Sequence, residues 1–180
     1  MDSRKNRGKQ QGRSGAGTVA LYGLLIALAF IFSYVEALIP LPVPIPGIKL
    51  GLANLVNVVG LYTVGAAGTM AVGLLRIVMV GFTFSNPGSM LYALAGGVLS
   101  LAVMALAKKM GWFEKTGVSI LGGVFHNIGQ LSMAAWITKT AGVFTYLPVL
   151  MVAGIITGGV IGILGGLVTE RITPVIRKMK

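Results

Sequence analysis

The chain has 180 residues, 55% hydrophobic and only 11% charged, with 27 glycines and a mean hydropathy of +0.87. A soluble domain needs far more polar surface, so a soluble enzyme or soluble binding module is excluded. The net charge of +11 does not point to nucleic acid, because the basic residues lie between and outside the apolar runs with no interleaved aromatic platform.

In chain order, residues 1–17 (MDSRKNRGKQQGRSGAG) are polar, basic and rich in Gly and Ser, which predicts a disordered basic cytoplasmic leader. The next apolar run, 18–39, matches the ~20 residues of a spanning helix and lacks a small-residue cleavage site, so it reads as a retained first span rather than a signal peptide. PLPVPIPGIK at 40–49 places prolines at alternate positions, which cannot continue a helix and predicts an extended loop at the membrane surface. Further spans are expected over 49–64, 66–82, 89–107, 117–138 and 147–168, the second and third separated only by a break near Gly65. Long apolar runs fit helices better than the alternating strands of a barrel. The fold expected is therefore all-α, an integral membrane bundle of about six transmembrane helices over 18–170, followed by a basic cytoplasmic tail at 171–180.

Six crossings put both termini on one side. Arg4, Lys5, Arg7, Lys9, Arg13, Lys108, Lys109, Lys115, Arg171, Arg177, Lys178 and Lys180 fall on that side, against Lys49 and Lys139 opposite. The positive-inside bias assigns the termini and the 108–116 loop to the cytoplasm, and the proline loop to the outside. Gly154, Gly158, Gly162 and Gly166 recur every four residues in the last span and make a ridge for close approach of another backbone. Gly23 and Ala27, with Ala29 and Ser33 nearby, offer a smaller version on the first span. That stripe suits packing within the bundle or against a partner.

Polar groups at membrane depth are costly, and so are candidate site residues. Glu36 lies near the outer end of the first span and Lys49 at the outer start of the second; Asn54 and Asn57 follow at i, i+3. Arg76 sits about two-thirds of the way outward along the third span. In the fifth, His126 and Asn127 are near the midplane, with Gln130 one turn farther out. All occupy the middle or the outer half. One arrangement that accounts for this is a polar cup open to the outside. The other is a set of structural pairs, with Arg76 on Glu36, the amides bridging helices and His126 in the core. The absence of cysteine rules out disulfides and thiolate metal sites, a single histidine argues against a metal centre, and no cofactor is expected.

The stretches PIPGIKLGLANLVNVV (44–59), LLRIVMVG (74–81), LYALAGGVLSLAVMAL (91–106) and GGVFHNIGQL (122–131) resemble the bacterial Gx transporter family, also labelled heptaprenyl diphosphate synthase component I. The resemblance covers about 18–170. It implies kinship with the substrate-binding S-components of energy-coupling factor (ECF) transporters, six-helix proteins that capture micronutrients outside the cell. In those relatives small residues on the first helix dock onto a transmembrane coupling subunit, a role that Gly23, Ala27 and Ser33 approximate.

The synthase label implies isoprenoid chemistry, but prenyl diphosphate synthases hold magnesium through clustered carboxylates. Here Asp2, Glu36, Glu114 and Glu170 are the only acids and are scattered. With no paired carboxylates, activated nucleophile or phosphate-binding Gly-Lys-Ser/Thr loop, no enzyme activity is expected, and ATP coupling would come from a partner.

The leading expectation is a membrane substrate-binding subunit for uptake of a small polar or amphipathic micronutrient. Its partners would be the lipid bilayer, the small-molecule ligand, and an ECF-type coupling subunit with its ATPases. The alternative is a noncatalytic membrane partner in isoprenoid, quinone or flavin redox metabolism. An autonomous secondary transporter is disfavoured by the lack of an inverted repeat or an intramembrane acid pair.

Overall fold

The computed structural model describes residues 3–39 and 51–179. Among these the chain forms six α-helices and no strand: α1 (Ser3–Leu38), α2 (Leu52–Thr63), α3 (Gly65–Thr83), α4 (Pro87–Met110), α5 (Lys115–Thr138) and α6 (Leu147–Met179). A 3-10 turn at Ala141–Tyr146 leads into α6. The proline-rich segment 40–49, including Lys49, lies outside the described residues.

Local chemistry sets the boundaries. The 52–83 run divides at Gly65, whose φ of 83° is cheap only without a Cβ, and the chain reverses there into two antiparallel helices. Pro87 opens α4 where its missing N–H costs nothing, behind an Asn86 side chain that accepts the Ser89 N–H at 2.8 Å. Gly111, at φ 71°, ends the same helix.

Three elements depart from the sequence reading. α1 is continuous from Ser3, so the basic segment expected to be a disordered leader continues the helix; Lys, Arg and Gln are good helix formers, and nothing before residue 40 is a proline. α6 runs on past 168 to Met179 through Pro174. α2 starts at Leu52 rather than 49, and its 12 residues rise only about 18 Å, short of the ~30 Å hydrocarbon layer. The segments Gly15–Leu38, Gly65–Thr83, Pro87–Met110 and Ala141–Ile176 are each long and apolar enough to cross a membrane. α5, with 24 residues, has the length, while His126, Asn127 and Gln130 dilute its apolar character.

The helices close a ring in the order α1, α3, α4, α5, α6, α2, in which α2 also touches α3. Apart from Asn54 and Asn57, α2 is apolar, and it buries two flanks inside the bundle. Val56 and Val59 pack with Leu25, Ala29 and Val72 of α1 and α3, while Val58 and Leu61 pack with Leu101, Met104, Val118 and Ile161 of α4, α5 and α6. Burial in α2 extends to Leu61, while Tyr62 and Thr63 of its last turn are half-buried. Lys108 of α4 supplies a partner there: its Nζ donates to the Leu61 carbonyl at 2.6 Å and lies 4.6 Å from the Tyr62 ring centre.

The tightest seams run along α5. Cβ atoms added to Gly154, Gly158 and Gly162 of α6 would lie 2.9, 2.8 and 2.7 Å from backbone carbons of Gly123, Ile120 and Thr116. On the other side of α5, a Cβ on Gly129 would lie 2.8 Å from the Gly96 Cα of α4. Such approach is open only to glycine and provides the dispersion contacts that hold helices together in lipid. Gly166, one turn beyond, meets only the Lys115 side chain at 3.7 Å.

Candidate functional site

Where α1, α3 and α5 end and α2, α4 and α6 begin, the ring encloses a cavity of about 310 Å³ with walls from all six helices. Its polar side gathers Ser33 and Glu36 from α1, Asn54 from α2, Arg76 from α3, and His126, Asn127 and Gln130 from α5. The α5 residues, with Gly123, fall at i, i+3, i+4 and i+7, a single helical face. Its apolar side is made by Ile77, Val80, Phe84 and Met90. The Phe84 ring is set by edge contacts to Phe30 (centroids 5.5 Å apart) and Tyr34 (5.4 Å) of α1.

Below the cavity, the α5–α6 glycine seam and buried α2 close the bundle. They leave a hollow of about 10 Å³ beside Ser100, Ser119 and Thr157, the size of one water. The opposite end of the bundle carries Lys108, Lys109 and Lys115.

Arg76 anchors the polar side. Its Nη1 donates to Ser33 Oγ at 3.0 Å, and Ser33 in turn donates to the Ala29 carbonyl at 2.8 Å. Among the described residues its Nε has no hydrogen-bond partner. Glu36 is near enough to act on the guanidinium electrostatically. Its carboxylate also accepts the Gly51 N–H at the start of α2, which joins the two helix ends that flank the proline segment. That position is favourable for an acid, because the first N–H groups of a helix present partial positive charge. Asn127 Nδ2 donates to the Leu150 carbonyl at 2.7 Å and ties α5 to α6 beside the cavity.

Asn57 takes a different place from the others. It is buried behind Asn54, to which its Nδ2 donates at 3.2 Å, and it faces Gly73 of α3 instead of lining the cavity. Gly23 and Ala27 lie exposed on the outer face of α1, and among the described residues nothing comes within 4 Å of a Cβ placed on Gly23, whereas Ala29 and Ser33 of the same helix are buried. The sequence reading passed over Ser89, Thr157, Phe84 and Met90 as site residues. A signal existed for Thr157: Ala153 and Thr157 repeat at i, i+4 beside the glycine ridge and so border the seam's open end.

The apolar helices and their packing define a polytopic membrane protein with an internal polar cavity. The chain belongs to the heptaprenyl diphosphate synthase component I family, whose model matches residues 25–168. No curated protein and no solved structure matches it.

Proposed function

We propose that the protein is the substrate-capture subunit of an uptake system, holding a small polar or amphipathic compound in the cavity and passing it inward through a partner that supplies ATP-driven transport. The observation that carries this reading is the convergence of side chains from all six helices on one cavity at the end away from Lys108, Lys109 and Lys115. By the positive-inside rule that end faces outward. Its volume falls at the lower end of the roughly 300–1,000 Å³ of small-ligand pockets. The exposed Gly23 and Ala27, where a partner helix could approach α1 closely, support docking onto a transmembrane coupling subunit.

The family's description favours a second reading, a noncatalytic partner of an isoprenoid diphosphate synthase. A cavity of about 310 Å³ is too small to enclose a chain of seven isoprene units, so in that case the protein would anchor an enzyme rather than hold its product. The acids support a noncatalytic role in either reading. Glu36 meets Gly51, Glu170 pairs with Lys115 at 2.7 Å, and Glu114 lies at the start of α5, so these three do not meet to hold a metal.

Copurification from native membranes separates the two. The capture reading expects an ATPase module to follow the tagged chain and uptake of a nutrient to fail when the chain is deleted. Recovery of a prenyltransferase with unchanged nutrient uptake would replace it with the anchoring reading.

A further inference from the structure

We propose that the cavity recognises its ligand through an oxyanion, a carboxylate or a phosphate monoester, seated between Arg76 and the first turn of α2, with an apolar or aromatic part against Phe84. The inference rests on the capture reading of the same cavity and adds the class of ligand.

Two independent features converge. The first is Arg76, a permanent cation among helices that span lipid. Its one hydrogen bond to a described side chain goes to a neutral hydroxyl, and Nε, closed off from solvent, has no partner among the described residues. A buried charge of that kind is expensive while donors go unmet, and a guanidinium on the cavity wall can offer N–H groups to the oxygens of a carboxylate or phosphate. The second is α2, a 12-residue helix whose start borders the cavity through Gly51, Ala53 and Asn54; Glu36 takes the Gly51 N–H, and the N-cap glycine itself supplies no side-chain cap. Its N–H groups and dipole favour negative charge at that point. Asn54 and Gln130 add amide donors to the same wall, whereas Ile77, Val80, Phe84 and Met90 offer nothing to a charged group.

Among the described residues Glu36 is the one acid of the cavity wall, and its carboxylate is engaged with Gly51 at the rim. It tethers α1 to α2 there and partly offsets the charge of Arg76, so the guanidinium and the α2 N–H groups set the field at that wall as donors rather than through an excess of positive charge. A ligand bearing a cationic group in place of the oxyanion would meet that field unfavourably.

The test uses the full chain in nanodiscs and four fragments that share one ring: phenylacetate, phenyl phosphate, 2-phenylacetamide and 2-phenylethylamine. Their size suits the cavity, and fragments of this kind bind in the roughly millimolar range. Binding is read by calorimetry and by thermal shift. One or both anions should bind at least about tenfold more tightly than the neutral amide, and whichever anion binds tells carboxylate from phosphate. Arg76→Gln should abolish the preference, and Arg76→Lys, which keeps the charge and loses the fork, should retain a reduced one. Lys109→Gln, exposed at the opposite end of the bundle, should leave anion binding unchanged. Should Arg76→Gln fail to fold, the Arg76→Lys result decides.

Equal binding of amide and anion, tighter binding of the amine, a preference unchanged in Arg76→Gln, or no anion binding at about 10 mM would each overturn the proposal. Tighter binding of amide or amine would remove the oxyanion while leaving capture intact. Loss of the capture reading itself would show in the copurification and uptake experiment.

Discussion

Gly158→Ala and Gly159→Ala make the same chemical change at adjacent positions of α6 and should have opposite consequences. A Cβ on Gly158 would sit 2.8 Å from both the Ile120 Cα and the Ser119 carbonyl oxygen of α5. These are backbone atoms, which cannot rotate away, so the two helices must part by several tenths of an ångström along the seam. A Cβ on Gly159 would meet only the Ile120 Cδ1 at 4.0 Å, an ordinary contact. Replacing glycine by alanine inside a helix gains up to about 1 kcal/mol at either site, so this term cancels in the comparison. What remains is overpacking at Gly158, typically about 1–3 kcal/mol. At roughly 2–4 °C per kcal/mol for a chain of this size, Gly158→Ala should melt several degrees below Gly159→Ala in the same detergent. Gly159→Ala should melt at or above the wild type. If Gly158→Ala is as stable as Gly159→Ala, the ridge does not pack on α5 and the floor of the cavity is wrongly drawn.

Lys108→Met keeps the length of the side chain but leaves the Leu61 carbonyl without its charged donor. It should cost about 1.5–3 kcal/mol, against less than about 0.5 kcal/mol for exposed Lys109→Met, read from paired melting curves. Glu36→Ala frees the Gly51 N–H and the start of α2, and should lower stability by about 1 kcal/mol in the same assay; an unchanged melt would show that the rim is held by other contacts. The charge distribution expects a cysteine at Lys109 to resist an impermeant thiol reagent in intact cells and to react after permeabilisation; labelling in intact cells would invert the topology.

Helix positions were legible because each apolar run is bounded by a breaker with a physical effect: the Gly65 turn, Asn86–Pro87, and Gly111. The polar face of α5 was legible for the same reason that it is functional in appearance, since His126, Asn127 and Gln130 share one helical face. The length and burial of α2 were not legible. Its residues read as an ordinary short span, and only the tertiary structure shows five other helices closing around it and Lys108 satisfying its end. Asn54 and Asn57 share a face in sequence, yet a shift of three residues turns the second toward α3, and periodicity cannot tell a cavity from a helix interface. Phe84 follows the last turn of α3, where the sequence shows only an aromatic near a boundary. Its role depends on Phe30 and Tyr34, more than 45 residues earlier in the chain.

The central claim, that the polar side chains meet in a water-filled cavity open to the outside, can be tested directly because the chain has no cysteine of its own. Thr157 lines the cavity, while its neighbour Ile156 is 61% exposed on the outer surface of α6. A thiol reacts as its thiolate, which forms in water and not in lipid. An impermeant maleimide added to intact cells should therefore label Thr157→Cys and leave Ile156→Cys unmodified. Equal labelling of the two, or labelling of Thr157→Cys only from the cytoplasmic side of inverted vesicles, would contradict the account.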